Sequence, residues 1–409
     1  MRILLFTGKG GVGKTTTAAA TAVRLSARGT KTLLLSTDAA HSLADALDVP
    51  LGAEPTEIAP GLDAVQIDTQ RRFEEAWQDV RRYLLELVSN SGLDPITAEE
   101  LTVLPGIEEV LALLAVREFA ESGRWDALVV DCAPTAETLR LLALPEALGW
   151  YLNRVFPVHR AIARGMRPLA AVLGRAGAVP PDAAFDAIFR LSEELAAVRA
   201  LLADPEVTSV RLVLTPEAVV TAEARRTFTA LALYGYRVDE VVANRLFPAV
   251  EDVTGSPWQA SWVAAQTRQL QVIAESFAGL PVRRASYRPA EPLGIAALEE
   301  VAADLYGVNT DLDPAAVGRP QQMLTVTAGS NPTNPSDQEF VLTLLIPLAG
   351  RGEVEATRSG EDLIVTVAGH RRILTLPSVL RRCVVSSGSA DDGRLVLRFV
   401  PDPRYWRSE

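Results

Sequence analysis

Residues 1–17 read MRILLFTGKGGVGKTTT, and this stretch decides the fold. A short apolar run, Ile3–Phe6, leads into GKGGVGKT at 8–15 and then into a segment rich in threonine and alanine. The run reads as a buried strand and the alanine-rich segment as a helix. The glycines between them have the spacing G-x-x-x-x-G-K-[ST] of a phosphate-binding loop, in the strand-to-helix context that such a loop requires. Glycines let backbone N–H groups converge on an anion, and the helix N-terminus adds its positive dipole. Gly8, Lys9, Gly10, Gly11, Val12, Gly13, Lys14, Thr15 and Thr16 are therefore the candidate nucleotide contacts. Lys14 is placed to reach the β- and γ-phosphates, and Thr15 to hold Mg2+. Lys9 is a second lysine where the pattern needs only one.

Further along the chain, Thr32–Leu35, Ala64–Ile67, Ala127–Val130, Val210–Leu214 and Glu240–Ala243 are also nearly continuous apolar runs. Parallel strands buried on both faces read this way, and helical stretches separate most of these. The expectation is an α/β, doubly wound, mostly parallel sheet. The run ALVVD ends in Asp131, a candidate Walker-B carboxylate reaching Mg2+ through water. The run TLLLS leads to Asp38 at the carboxyl edge of its strand, beside the same crevice. Asp38 either orients and deprotonates an attacking water or caps the next helix; it also joins Thr15 and Asp131 as a candidate metal-site residue.

Residues 146–204 break the alternation. They hold no strand candidate but two helical stripes, Leu148 to Leu173 and Phe185 to Leu202, around the breaker GRAGAVPPD. This predicts a helical insertion on a domain spanning 1–308. The polar segment GVNTDLDPAAVGRPQQ marks a linker at 309–321. Beyond it, seven short alternating runs predict an all-β sandwich over 322–409: Leu324–Thr327, Phe340–Ile346, Glu353–Thr357, Leu363–Val367, Arg372–Leu376, Cys383–Ser386 and Leu395–Val400.

The 409 residues suit two or three domains, and 48% hydrophobic with 22% charged residues is a globular composition. A net charge of -11 argues against nucleic acid as the partner. Two cysteines and three histidines leave no disulfide framework and little for a structural metal site. The start lacks the organisation of a signal peptide, and no run is long enough for a membrane span; the expectation is a cytoplasmic protein.

Four segments in order, GKGGVGKTT, STDAAHSLADAL, LPGIEEVLALLAV and VVDCAPTAETLRLLALP, resemble the ArsA family over about residues 1–308. That family includes the arsenite-pump ATPase and the Get-type ATPase that delivers tail-anchored membrane proteins. The resemblance implies a P-loop NTPase of the deviant Walker A (SIMIBI) kind, using ATP and Mg2+ as a homodimer. It implies that Lys9 reaches across the dimer to the partner's nucleotide, where a cation in trans stabilises phosphate charge as an arginine finger does. Asp38 aligns with the water-activating aspartate of switch I. DCAPTAETLR aligns with switch II, supplying Asp131, Ala133, Pro134 and Thr135, and departs from the usual DTAPTGHT at Cys132, Ala136 and Glu137. Asn244, followed by Arg245, falls where the family reads adenine, and Pro289 in VRRASYRPAEPLG falls in the loop near the base.

The zinc-binding CxxC pair of the fungal and animal targeting ATPases is absent from EDVTGSPWQASWVAAQ, where Trp258 and Trp262 stand ready to pack instead; a dimer without zinc is expected. The cysteines of arsenite activation are likewise missing. In the insertion, targeting relatives form an apolar client groove; here the stripes either do so or pack internally. Its arginines, Arg154, Arg160, Arg164, Arg167 and Arg175, are a solvated face or touch acidic headgroups, so membrane contact stays open. FVLTLLIPLAG, GEDLIVTVAGHRRILTLP and DDGRLVLRF resemble the α-crystallin domain of small heat-shock proteins over 322–402. The hairpin AGH is too short for the exchanged loop of such domains, and PDPRYWRSE lacks their Ile-x-Ile anchor. This β domain is either a client-binding module or a cap on the ATPase. The implied function is an ATP-hydrolysing homodimeric switch that binds apolar helical segments of client proteins. The rivals are a partitioning-type ATPase and an ATPase subunit driving a metalloid pump.

Overall fold

The computed structural model describes residues 1–37, 42–67, 107–133, 135, 139, 182–248, 257–308, 310–318, 322–329 and 338–404. Asp38, Pro134, Ala136, Glu137, the first stripe of the insertion and its five arginines lie outside these residues.

β1 (Arg2–Thr7) is buried along its whole length and runs into α1 (Lys14–Ala27) through the glycine loop. β2 (Thr32–Ser36), α2 (Ser42–Leu47), β3 (Thr56–Ala59), β4 (Leu62–Gln66), α3 (Ile107–Glu121) and β5 (Ala127–Asp131) follow. Then come α4 (Asp182–Ala203), β6 (Thr208–Leu214), α5 (Ala218–Tyr234), β7 (Val238–Leu246), α6 (Pro257–Ser276), β8 (Val282–Ser286) and α7 (Gly294–Tyr306). The strands form one sheet in the order β3-β4-β2-β5-β1-β6-β7-β8, parallel except for β3. β1 is thus central, and β5 and β6 diverge from it on either side, which makes its carboxyl end the crevice of an open α/β sheet. The alanines of α1, Ala18, Ala19, Ala20 and Ala22, are fully buried, so this helix lies close on the sheet with α7 over it. α4 carries the second predicted stripe of the insertion.

All six expected strands of this sheet are present; β3 and β8 are additional. β3 is an antiparallel edge with no fully buried residue, and β8 reads VRRAS with Ala285 alone fully buried. Edge strands need no continuous apolar run, so neither left that signal.

The seven C-terminal strands all form. β9 (Leu324–Ala328), β10 (Phe340–Leu345), β14 (Cys383–Asp391) and β15 (Arg394–Pro401) make a sheet in the order β14-β15-β10-β9. β11 (Val354–Ser359), β12 (Asp362–Val367) and β13 (His370–Thr375) make a second, and the four-residue helix α8 (Ser378–Arg381) precedes β14. Burial alternates along β10 and β15, as in sheets with one face on a core. The β12–β13 loop is shorter than AGH: Val367 pairs with His370, leaving Ala368 (φ 48°) and Gly369 (φ 84°) as a two-residue turn with both φ positive.

This sandwich is not tethered loosely. Leu233 of α5 is fully buried within the sandwich's own hydrophobic core. Around it, the Thr229 hydroxyl donates to the Pro347 carbonyl (2.5 Å), the Arg372 guanidinium donates to the Leu233 carbonyl, and the Tyr234 ring meets His370 edge-on at 6.4 Å. The segment expected to be a linker is also fastened where described. Arg28 donates to the carbonyl of Thr310 (3.1 Å), Arg211 to that of Pro314, and Arg237 to that of Gly318 (3.1 Å). Among the described residues, no helix is long and apolar enough to cross a membrane.

Candidate nucleotide-binding site

The glycine loop folds where it does because two of its glycines tolerate no side chain. A Cβ on Gly8 would stand 2.1 Å from the carbonyl oxygen of Val213 in β6. Gly13 has φ 90°, a left-handed conformation, and a Cβ there would stand 2.2 Å from the Asn244 side-chain nitrogen. Gly13 is also the residue before α1, so the helix's free N–H groups open toward the loop.

Beneath the loop, β5 places Asp131 between its neighbours: it is in register with Phe6 of β1 and with Ser36 of β2, and is fully buried. The Thr15 hydroxyl donates to an Asp131 carboxylate oxygen (2.7 Å) and lies 3.2 Å from the Ser42 hydroxyl; the Ser36 hydroxyl reaches the same carboxylate oxygen at 3.5 Å. Two sequence-predicted residues are thus joined, with Ser36 and Ser42 added. This set of hydroxyl and carboxylate oxygens suits a hard divalent cation such as Mg2+, by the chemistry of its donors. Asp38 lies outside the described residues, but Thr37 before it donates its backbone N–H to the Asp131 carbonyl (2.9 Å).

The two loop lysines end in opposite surroundings. Lys14, at the start of α1, is 7% exposed. The Lys9 side chain is 42% exposed, and its ammonium lies 4.0 Å from the Glu223 carboxylate on α5. Lys9 lines a cleft of about 640 Å3 with Gly10, Gly11, the Thr215–Ala218 turn, Arg245, Trp262 and Tyr287. On the other side of Arg245 and Tyr287, a second cleft of about 330 Å3 brings together Gly13, Thr16, Asn244 and Pro289. The expected adenine-side residues therefore converge. The Asn244 amide, however, is engaged by backbone: its nitrogen donates to the Val12 carbonyl (2.9 Å), and its oxygen accepts from the Arg245 N–H (2.9 Å).

Of the two tryptophans, Trp262 meets Phe247 edge-on at 5.7 Å, and Phe247 stacks on Tyr287 at 5.3 Å. Trp258 and Trp262 nonetheless remain 59% and 55% exposed. Just past β5, Cys132 and Thr135 are buried, as is Ala133. Burial pushes the Cys132 thiol far above its ordinary range, and the adjoining Asp131 carboxylate adds to the shift. The reading from sequence missed Glu223 and the Thr215–Glu217 turn. The turn follows a strand beside β1, so the rule that sites lie at the carboxyl ends of such strands could have found it; Glu223 left no signal.

Comparison with known proteins identifies the family of each part of the chain. Residues 1–307 match the ArsA ATPase family, described as anion-transporting ATPases, and residues 337–399 match the HSP20-like domain found in ArsA. A putative arsenical pump-driving ATPase of Chlorobaculum tepidum is 37% identical over 379 residues, 92% of this chain and 90% of that one. An uncharacterised protein of Streptomyces coelicolor is 40% identical over 413 residues, 99% of each chain. The ATPase GET3 of Rhodotorula glutinis is 27% identical over 272 residues, covering 66% of this chain and 76% of that one.

Proposed function

Because the chain belongs to the ArsA ATPase family, we propose that it is an ATP-hydrolysing switch that works as a homodimer and binds apolar helical segments of client proteins. The observation that carries this reading is the divergence of the two lysines, one buried under the loop and one at the rim of an open cleft. Lys14 and the N–H groups at the start of α1 take the phosphates of the chain's own nucleotide. Thr15 and Asp131 would hold Mg2+, with the Ser36 hydroxyl against the Asp131 carboxylate and Thr37 bonded to the Asp131 backbone carbonyl. When bound, the cation neutralises charge on the β- and γ-phosphates. Asp38 orients water for attack, and Asn244 with Pro289 flanks the base. Lys9 completes the partner's site, so hydrolysis depends on dimer closure.

The test uses Asp38→Asn protein purified with ATP and Mg2+. The expected result is a complex heavier than two 43.9 kDa chains, a dimer with apolar-helix proteins bound. A monomer under these conditions refutes the switch; a dimer carrying nothing refutes the client reading alone.

The name of the Chlorobaculum relative favours a second reading, a subunit that drives an arsenical pump. Soft metalloids bind thiolates. Cys132 and Cys383 are both buried, and burial raises both thiols, which does not support that chemistry here. Hydrolysis that arsenite accelerates would restore it.

A further inference from the structure

We propose that Glu223 is a positioning residue that holds Lys9 on α5 and competes with nucleotide phosphate for its ammonium; this rests on the reading of Lys9 given above. The Lys9 ammonium lies 4.0 Å from the Glu223 carboxylate, with side chains 42% and 30% exposed. Glu217, the carboxylate among the residues lining the cleft, accepts from the Thr215 hydroxyl (3.2 Å) in the turn before α5. Glu223, on α5 itself, is the carboxylate that the loop lysine meets. The ammonium has three donors but one stem, so while it stands beside Glu223 on its own chain it cannot also stand at a phosphate in the partner's site.

The position of Glu223 is itself fixed from the far end of the same helix. Ten residues on, about 15 Å along the axis, Leu233 is part of the β-sandwich core, and Arg372 of the sandwich donates to its carbonyl. α5 cannot carry Glu223 away from Lys9 without moving that domain or breaking this seam. The β domain thus helps fix where Glu223 stands.

An exposed ion pair is weak, as a latch that phosphate must overcome has to be. Glu223→Gln should lower the protein concentration giving half-maximal ATPase rate by about two- to fivefold at low salt, and leave the plateau rate unchanged. Glu223→Asp, which keeps the charge, should lie between Glu223→Gln and the wild type. At ~1 M salt, where screening acts within about 3 Å, the wild type and Glu223→Gln should coincide. Lys9→Ala is measured alongside. If Lys9→Ala is slow but Glu223→Gln follows the wild-type curve at low salt, the latch is refuted and the trans lysine stands. A shift that persists at high salt also refutes the latch, because a packing effect would behave that way. If Lys9→Ala hydrolyses normally, the underlying reading fails instead.

Discussion

Gly13→Ala probes the loop most sharply, because the structure supplies two separable costs. The first is conformational: φ is 90° at this position, and a side chain there costs about 1–2 kcal/mol. The second is steric, since the new Cβ would lie 2.2 Å from the Asn244 side-chain nitrogen. The amide must move, which breaks its bonds to the Val12 carbonyl and the Arg245 N–H, each worth about 1 kcal/mol. Together the costs reach about 3–4 kcal/mol against the loop conformation, on the order of a hundredfold or more in ATP affinity. Calorimetric titration of ATP, with thermal unfolding to confirm folding, reads this directly. The double variant Gly13→Ala/Asn244→Ala separates the costs. It lacks the same two amide bonds and keeps the strain, so it should bind ATP about as weakly as Gly13→Ala and more weakly than Asn244→Ala by the strain alone. Wild-type affinity in Gly13→Ala, or a double variant that binds as tightly as Asn244→Ala, would refute this account of why Gly13 and Asn244 face each other.

Asp131→Asn should weaken the Mg2+ dependence of hydrolysis roughly ten- to hundredfold, as loss of an outer-sphere carboxylate does; an unchanged Mg2+ titration would remove Asp131 from the site. Leu233→Ala should destabilise the seam by about 2–5 kcal/mol, read as earlier proteolytic release of the β domain, whereas cleavage at the wild-type rate would mean the sandwich does not rely on α5. Burial lowers the His370 imidazole below its ordinary 6.5 at this seam. A base depressed in the fold leaves stability intact above pH 6.5 and takes it away as pH falls through the folded value. The melting temperature should therefore decline below that pH, and His370→Gln should remove part of the decline. Cys132 and Cys383 should resist alkylation at pH 8 in the native protein and react once it is unfolded; native labelling of Cys132 would contradict its burial.

The sequence disclosed what rests on local pattern. A buried strand ending in Asp131 and a glycine loop ending in Lys14 and Thr15 announce themselves, since a parallel strand between two neighbours must be apolar throughout. β8 did not, because its arginines need not be buried: Arg283 reaches sideways to Glu240 (2.7 Å). In β6 the apolar run was interrupted by Arg211, which is 2% exposed and offset by Asp239, Tyr306 and the Pro314 carbonyl. The position of Asn244 was legible, but not its bond to Val12, which joins residues far apart in the chain. The anchoring of residues 310–318 was hidden for a related reason. Their backbone carbonyls accept the arginines, and a carbonyl leaves no mark on residue choice. Likewise nothing local connects Lys9 with Glu223.

The central claim, that Lys9 serves the partner's nucleotide, is tested most directly by mixing two inactive variants. Lys9→Ala keeps its own phosphate loop but has no lysine to lend; Lys14→Ala lends Lys9 but cannot hold its own phosphates. In mixed dimers one site of each pair is complete, so an equal mixture should regain roughly a quarter of the wild-type ATPase rate. If the mixture stays as inactive as its components while mixed dimers are present, Lys9 does not act in trans.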